Sequence, residues 1–182
     1  MVKIVNVVAS GSLDVEFDLE QVATDMGSVA EYSPKKYPVI YIRFKDDTPL
    51  ITLYRTGKYI ITGSESKQQS RNFREEFLNF LSNNQMITTP KDEWFCIQNL
   101  VCTGELDQSL NLNTLTVDLG LEVTEYEPEQ FPGLIYRPSG FTSVVLIFAS
   151  GRVVITGIQD FDIAQEIFIS VRNKISEITN TE

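Results

Sequence analysis

The spacing of apolar and polar positions divides this 182-residue chain into short strand-like runs and longer helical ones, and does so twice. Ile4–Ser10 reads as a strand leading to a short helix, with Asp18 as its N-cap and Gly27 as its stop. Cys96–Thr103 leads in the same way to a helix between Asn111 and Gly120. Three more strands are predicted in each half: Val39–Phe44, Leu50–Tyr54 and Lys58–Thr62, then Leu134–Arg137, Val144–Phe148 and Arg152–Thr156. Thr56-Gly57-Lys58 and Ser150-Gly151-Arg152 read as tight hairpin turns. An amphipathic helix closes each half, marked by Phe73, Phe77, Phe80 and Leu81, and by Ala164, Phe168, Val171, Ile175 and Ile178 at helical spacing. Asn83–Asp92, with Pro90, is the one linker candidate.

The two halves are copies of one unit. Ile4, Asn6, Gly11 and Leu13 recur as Ile97, Asn99, Gly104 and Leu106. Glu31-Tyr32-x-Pro34 returns as Glu125-Tyr126-x-Pro128, and Pro38, Arg43, Gly57 and Thr62-Gly63 return as Pro132, Arg137, Gly151 and Thr156-Gly157. The expected division is 1–90 and 91–182, two similar half-domains folded together.

Within the strands the alternation is unusual. Tyr59, Ile60 and Ile61 are all apolar, and so are Val144–Phe148 and most of Arg152–Thr156. Antiparallel strands covered on one side alone show one apolar and one polar face. Helices can cover one face here, yet the other still carries Val8, Ile60, Val101, Ile135, Leu146, Phe148 and Val154. That surface needs a partner: a third layer, a second copy of the chain, or a ligand. Asn6 and Asn99 stand at equivalent places on it, as do Thr62 and Thr156. Small paired donors and acceptors inside an apolar surface suit base edges in the minor groove, where A·T pairs offer only acceptors; hydrogen bonds across a buried symmetric interface are the alternative. Arg43, Lys58, Arg137 and Arg152 fall near strand ends, within reach of phosphates.

Composition narrows the chemistry. With 42% hydrophobic residues, 11 Phe and 7 Tyr, the chain is not a disordered acidic polymer. No apolar run approaches the ~20 residues of a membrane span, and MVKIVNVVAS has no signal-peptide layout. The absence of histidine removes Ser-His and Cys-His mechanisms and the commonest zinc ligand. Cys96 and Cys102, six residues apart on what reads as one strand face, would stand ~20 Å apart in an extended strand and suit reduced thiols, not a ligand pair or a mutual disulfide. No P-loop or GxGxxG occurs, and Asp46-Asp47 reads as a turn. No enzyme, metal or cofactor is expected.

The net charge of −10 argues against a nucleic-acid ligand held by bulk attraction. Its placement changes that reading. Residues 1–90 hold ten Lys/Arg against eleven Asp/Glu, a net of −1, while residues 91–182 hold five against fourteen, a net of −9. An apolar binding face edged by a few cations would give DNA affinity a shallow, even inverted, dependence on salt.

Glu125-Tyr126-Glu127-Pro128-Glu129-Gln130-Phe131-Pro132-Gly133-Leu134-Ile135-Tyr136-Arg137, then Leu146–Gly157, resemble the TATA-box-binding protein family, and Ile4–Ser10 is similar to that family's opening strand. The resemblance covers roughly residues 3 to 178. Leu110-Asn111-Leu112-Asn113 and Gly120-Leu121-Glu122 are most similar to archaeal, particularly haloarchaeal, members. It implies an α+β saddle: a ten-stranded antiparallel sheet with four helices on the convex face, in two pseudo-symmetric repeats. The concave face would lie in the minor groove of A/T-rich promoter DNA and kink it, a mode of binding for which this family is itself the standing example.

Carried over residue by residue, the resemblance places intercalating wedges at Tyr37, Tyr54, Phe131 and Phe148. It sets Asn6, Asn99, Thr62 and Thr156 on base edges and Val8, Ile60, Val101 and Val154 on the groove floor. Arg43, Lys58, Arg137 and Arg152 would take phosphates, and Glu127 and Glu129 would engage transcription factor B. Two departures lie in the first repeat: the wedges there are tyrosines instead of phenylalanines, and Thr52 stands where Leu146 stands in the second. The implied function is a general transcription initiation factor that recruits transcription factor B and the RNA polymerase pre-initiation complex, cytoplasmic and nucleoid-associated, with no membrane partner. Whether a homodimer hides the face of the free protein stays open. The alternative is a divergent member with weakened or lost DNA binding that serves as a protein-interaction module.

Overall fold

The computed structural model describes residues 1–33, 35, 36, 38–88 and 94–179. Tyr37 and Pro90, singled out above, lie outside the described residues.

The elements run β1 (Lys3–Ser12), α1 (Leu19–Met26), β2 (Ala30–Tyr32), β3 (Val39–Ile42), β4 (Leu50–Tyr54), β5 (Lys58–Ser64) and α2 (Lys67–Asn83). The series then repeats as β6 (Trp94–Glu105), α3 (Leu112–Leu119), β7 (Thr124–Glu125), β8 (Leu134–Tyr136), β9 (Val144–Ile147), β10 (Arg152–Ile158) and α4 (Phe161–Thr179). The ten strands are hydrogen-bonded in the order β2-β3-β4-β5-β1-β6-β10-β9-β8-β7, and every described pairing is antiparallel. Two compact units result: Met1–Val5 with Asn99–Glu182, and Asn6–Gln98.

The short helices begin where their caps dictate. Asp18 accepts from the backbone N–H of Glu20 and Gln21 at 3.1 and 3.3 Å, and Asn111 accepts from Asn113 and Thr114 at the same two distances. Eight-residue helices are marginal on their own, so these bonds and the buried side chains decide whether they form. At α2, Ser66 accepts from Gln69 N–H at 3.0 Å while Gln69 Oε1 accepts from Glu65 N–H at 2.6 Å, a reciprocal cap.

Each unit has its own core between helices and one sheet face. In the unit Asn6–Gln98, Val22 and Met26 of α1 and Phe73, Phe77 and Leu81 of α2 pack on Ile40, Ile51, Leu53, Tyr59 and Ile61. In the other unit, Leu115 of α3 and Ile167, Phe168, Val171 and Ile175 of α4 are buried along with Tyr136, Val145, Ile147, Val153 and Ile155. At about 1.5–3 kcal/mol for each large side chain buried, these cores dominate stability. Gly104 gives Phe168 its room: a Cβ there would stand 2.5 Å from the ring.

The strands β2 and β7 were not predicted from the pattern. At three and two residues they are too short to show a period. The paired cysteines also need correction. Cys96 is exposed and Cys102 buried, so they do not share a face. The alternation of β6 resets at Gln98–Asn99: Phe95 and Ile97 pack in the first core, while Leu100 and Cys102 are buried beyond the reset. Among the described residues no helix is long and apolar enough to cross a membrane.

Candidate nucleic-acid interface

Burial along the strands alternates, but polarity does not. In β4 and β5, Ile51, Leu53, Tyr59 and Ile61 are fully buried, while Leu50, Thr52, Ile60 and Thr62 between them are half-exposed. In β9 and β10, Val145, Ile147, Val153 and Ile155 are buried, and Val144, Leu146, Val154 and Thr156 are half-exposed. Register stacks the open side chains in rows: Thr52 opposite Ile60 and Leu50 opposite Thr62, Leu146 opposite Val154 and Val144 opposite Thr156. Ile135 adjoins Leu146. Each unit thus carries an apolar sheet face that its own helices do not cover.

One polar feature is built into each face at the same place. Between Ile61 and Ser64, β5 carries one residue more than β1 opposite, so that Thr62 and Gly63 face Val8 alone. Between Ile155 and Ile158, β10 does the same against β6, with Thr156 and Gly157 facing Val101. Both bulge glycines have positive φ, 92° and 81°, a conformation that L side chains rarely adopt. Gly63 N–H donates to Asn6 Oδ1 at 2.7 Å, and Gly157 N–H donates to Asn99 Oδ1 at 2.8 Å. A backbone N–H can only donate, so it is the amide oxygen that must face the glycine N–H, and the –NH₂ takes the other position. Asn99 Nδ2 also donates to Thr156 Oγ1 at 3.0 Å, and the Thr156 hydroxyl lies 3.4 Å from Asn99 Oδ1.

The positions that the resemblance assigns to wedges differ in residue type between the halves. Phe131 and Phe148 meet edge to face, with ring centroids 5.9 Å apart and planes at 66°. Gly133 makes the pair possible: a Cβ there would lie 2.7 Å from Phe131 and 3.1 Å from Phe148. The matching position in the first half is Val39, 94 residues earlier like Tyr54 for Phe148, and it is buried opposite Tyr54 in β3–β4. A third departure thus joins Tyr54 and Thr52. Tyr54 is 37% exposed.

Lys58, Arg137 and Arg152 are exposed. Arg152 stands directly opposite Glu105 in the ladder, which offsets part of its field. Arg43 is committed locally: its Nη1 donates to the carbonyls of Asp46 and Thr48 at 3.1 and 2.7 Å, holding the turn after β3. Glu127 and Glu129 are exposed in the loop between β7 and β8. The Glu127 carbonyl accepts from Gln130 and Phe131 N–H, both at 2.9 Å, and its carboxylate accepts from Gln130 Nε2 at 3.2 Å. No group of three or more Cys, Asp or Glu among the described residues could hold a metal ion.

The sequence pattern of the family described as "Transcription factor TFIID (or TATA-binding protein, TBP)" matches residues 1–84 and, a second time, residues 94–178. The chain belongs to the TATA-binding protein family. It is 44% identical to TATA-box-binding protein C of Halobacterium salinarum over 178 residues, covering 97% of this chain and 98% of that one. To the TATA-box-binding protein of Archaeoglobus fulgidus it is 38% identical over 156 residues, 86% and 84% of the two chains. The solved structure of Methanococcus jannaschii TBP superposes with a TM-score of 0.83 at 37% identity, covering 97% of this chain and 98% of that chain. TATA-binding proteins are DNA-binding transcription factors, not enzymes.

The bulge glycines and Val39 do not stand out in the sequence taken residue by residue. The signal for the first was present, since Thr62-Gly63 and Thr156-Gly157 recur together at a constant offset. Gly after Thr reads as a strand end, however, and only the pairing shows that the strand continues past it. Val39 is an ordinary strand residue until its own counterpart, Gly133, is seen beneath two rings.

Proposed function

We propose that this TATA-binding protein is a general transcription initiation factor that seats its open apolar faces in the minor groove of A/T-rich promoter DNA and kinks the duplex. The carrying observation is the pinned asparagine within each uncovered apolar face, which offers donors where A·T pairs offer only acceptors. In this reading Asn6, Asn99, Thr62 and Thr156 meet base edges, and Val8, Ile60, Val101 and Val154 pack against the groove floor. Phe131 and Phe148 enter a base step as one wedge, and Tyr37 and Tyr54 form the other. Lys58, Arg137, Arg152 and the outer edge of Arg43 take phosphates. Glu127 and Glu129 present acid to transcription factor B, which brings RNA polymerase. The two repeats, 1–90 and 91–182, divide this work, in a cytoplasmic, nucleoid-associated setting.

Tyr54, Thr52 and Val39 favour a second reading, a member that has weakened its DNA contact and works as an interaction module. Titration of a fluorescent A/T-rich duplex and a G/C-rich control, with and without transcription factor B across a salt series, separates the two. Binding selective for the A/T-rich duplex, strengthened by transcription factor B, supports initiation. No binding to either duplex under any condition overturns it.

A further inference from the structure

We infer that Gly63 and Gly157 are specificity-positioning residues: their bulge N–H groups lock the amides of Asn6 and Asn99 so that neither can turn its oxygen toward a base edge. The inference rests on the reading that these asparagines meet base edges, and it goes beyond it by naming what makes them selective. An unrestrained asparagine is a poor discriminator, because turning the amide by half a rotation exchanges its donor and acceptor ends. The two edges to be told apart differ in one respect: a G·C pair adds an amino donor to the minor groove, while A·T offers acceptors alone. A rotating amide could greet that amino group with Oδ1. Here it cannot, because Oδ1 is held at 2.7 Å by Gly63 N–H in one unit and at 2.8 Å by Gly157 N–H in the other. An incoming amino donor would then meet –NH₂, leaving two donors desolvated face to face.

The bulge has little other duty in the ladder. Val7 pairs with Ser64 and Ala9 with Ile61, so removing Gly63 would leave one residue opposite one, Thr62 against Val8, with Thr62 still outward and Ser64 still inward. The same count holds for Gly157, between the pairs Ile155–Cys102 and Ile158–Leu100. The extra residue is superfluous to pairing, and the N–H it turns toward the asparagine is its visible product.

The test measures equilibrium affinity of the full chain for an A/T-rich duplex and for the same duplex with diaminopurine replacing adenine at the central steps, which adds the minor-groove amino group and leaves three-hydrogen-bond pairing with thymine. The wild-type protein should prefer adenine by about tenfold or more. Deleting Gly63 or Gly157 should collapse that preference to within about threefold, chiefly by raising affinity for the diaminopurine duplex relative to the adenine one. Should a deletion fail to fold by circular dichroism, Gly63→Ala serves: an added Cβ has space, with Pro49 Cα nearest at 3.6 Å, but the positive φ disfavours the bulge. If the variants lose affinity for both duplexes alike and keep the ratio, the bulge is merely structural and the inference is overturned. Asn6→Ala and Asn99→Ala separate the underlying reading: a preference unchanged in both would overturn the base-edge role itself, whatever the glycines do.

Discussion

Single side chains set the shape of the Phe131–Phe148 pair. Gly133 lies under Phe131 and Phe148 at distances that admit no Cβ without moving a ring, while Val39 fills the corresponding place in the first half. Gly133→Val should splay the pair while leaving the fold intact, since both rings are half-exposed and can swing outward. The expected result is a loss of about tenfold in affinity for an A/T-rich duplex, within the ~1–3 kcal/mol of overpacking strain, and a smaller bend by fluorescence energy transfer; an unchanged bend would count against it. Cys102 allows a second test at this scale. Burial raises its thiol from 9.0 to about 11, so the unfolded chain ionises first as pH climbs. Stability from this group is therefore whole below pH 9 and declines between pH 9 and about 11. Urea melts across that window should show a decline that Cys102→Ala reduces, and the exposed Cys96 should alkylate in the native protein while Cys102 does not. Position was legible in the sequence where the repeat settles it, as for Asn6 and Asn99, each bonded to its bulge glycine, and the family resemblance paired Phe131 with Phe148, whose rings meet. It was not legible where a neighbour's shape settles it, as at Val39 and at the cysteines, which the strand reset sends to opposite faces.

Helices and strands were legible in proportion to their length. The caps Asp18 and Asn111, the hairpin glycines and both long amphipathic helices stand where periodicity and punctuation put them. Strands β2 and β7 lacked enough residues for a pattern, and their positions follow from pairing with β3 and β8. Strands β5 and β10 run two residues past their predicted ends because a bulge carries pairing beyond the Thr-Gly step. The caps matter most for the two eight-residue helices. Asn111→Ala removes the acceptor for two N–H groups and should cost about 1 kcal/mol, read as a lower melting temperature with no change in sheet content. The same change at Asp18 should cost a similar amount; no shift in either variant would mean that packing alone holds these helices.

At the scale of the molecule, charge and binding face are separable. The −10 total is concentrated in residues 91–182, the open faces are apolar, and few cations edge them. Arg43 spends donors on its own turn and Arg152 faces Glu105. The logarithm of DNA affinity should therefore fall with the logarithm of salt at a slope no steeper than about −4, at roughly 0.9 for each phosphate neutralised. Fluorescence titrations from low to molar salt measure it, and a slope near −8 would refute the picture of a binder driven by groove burial and deformation. A different consequence follows from how the chain is shared between its two compact units. Met1–Val5 belongs with Asn99–Glu182, and residues 94–98 belong with the unit that begins at Asn6. A chain cut between the repeats would therefore leave each half without a piece of its own unit: 1–90 would lack residues 94–98, and 91–182 would lack Met1–Val5. The two repeats should then refold better as one chain than as a mixture of separate halves, a difference that circular dichroism of the whole chain and of the mixed halves would read.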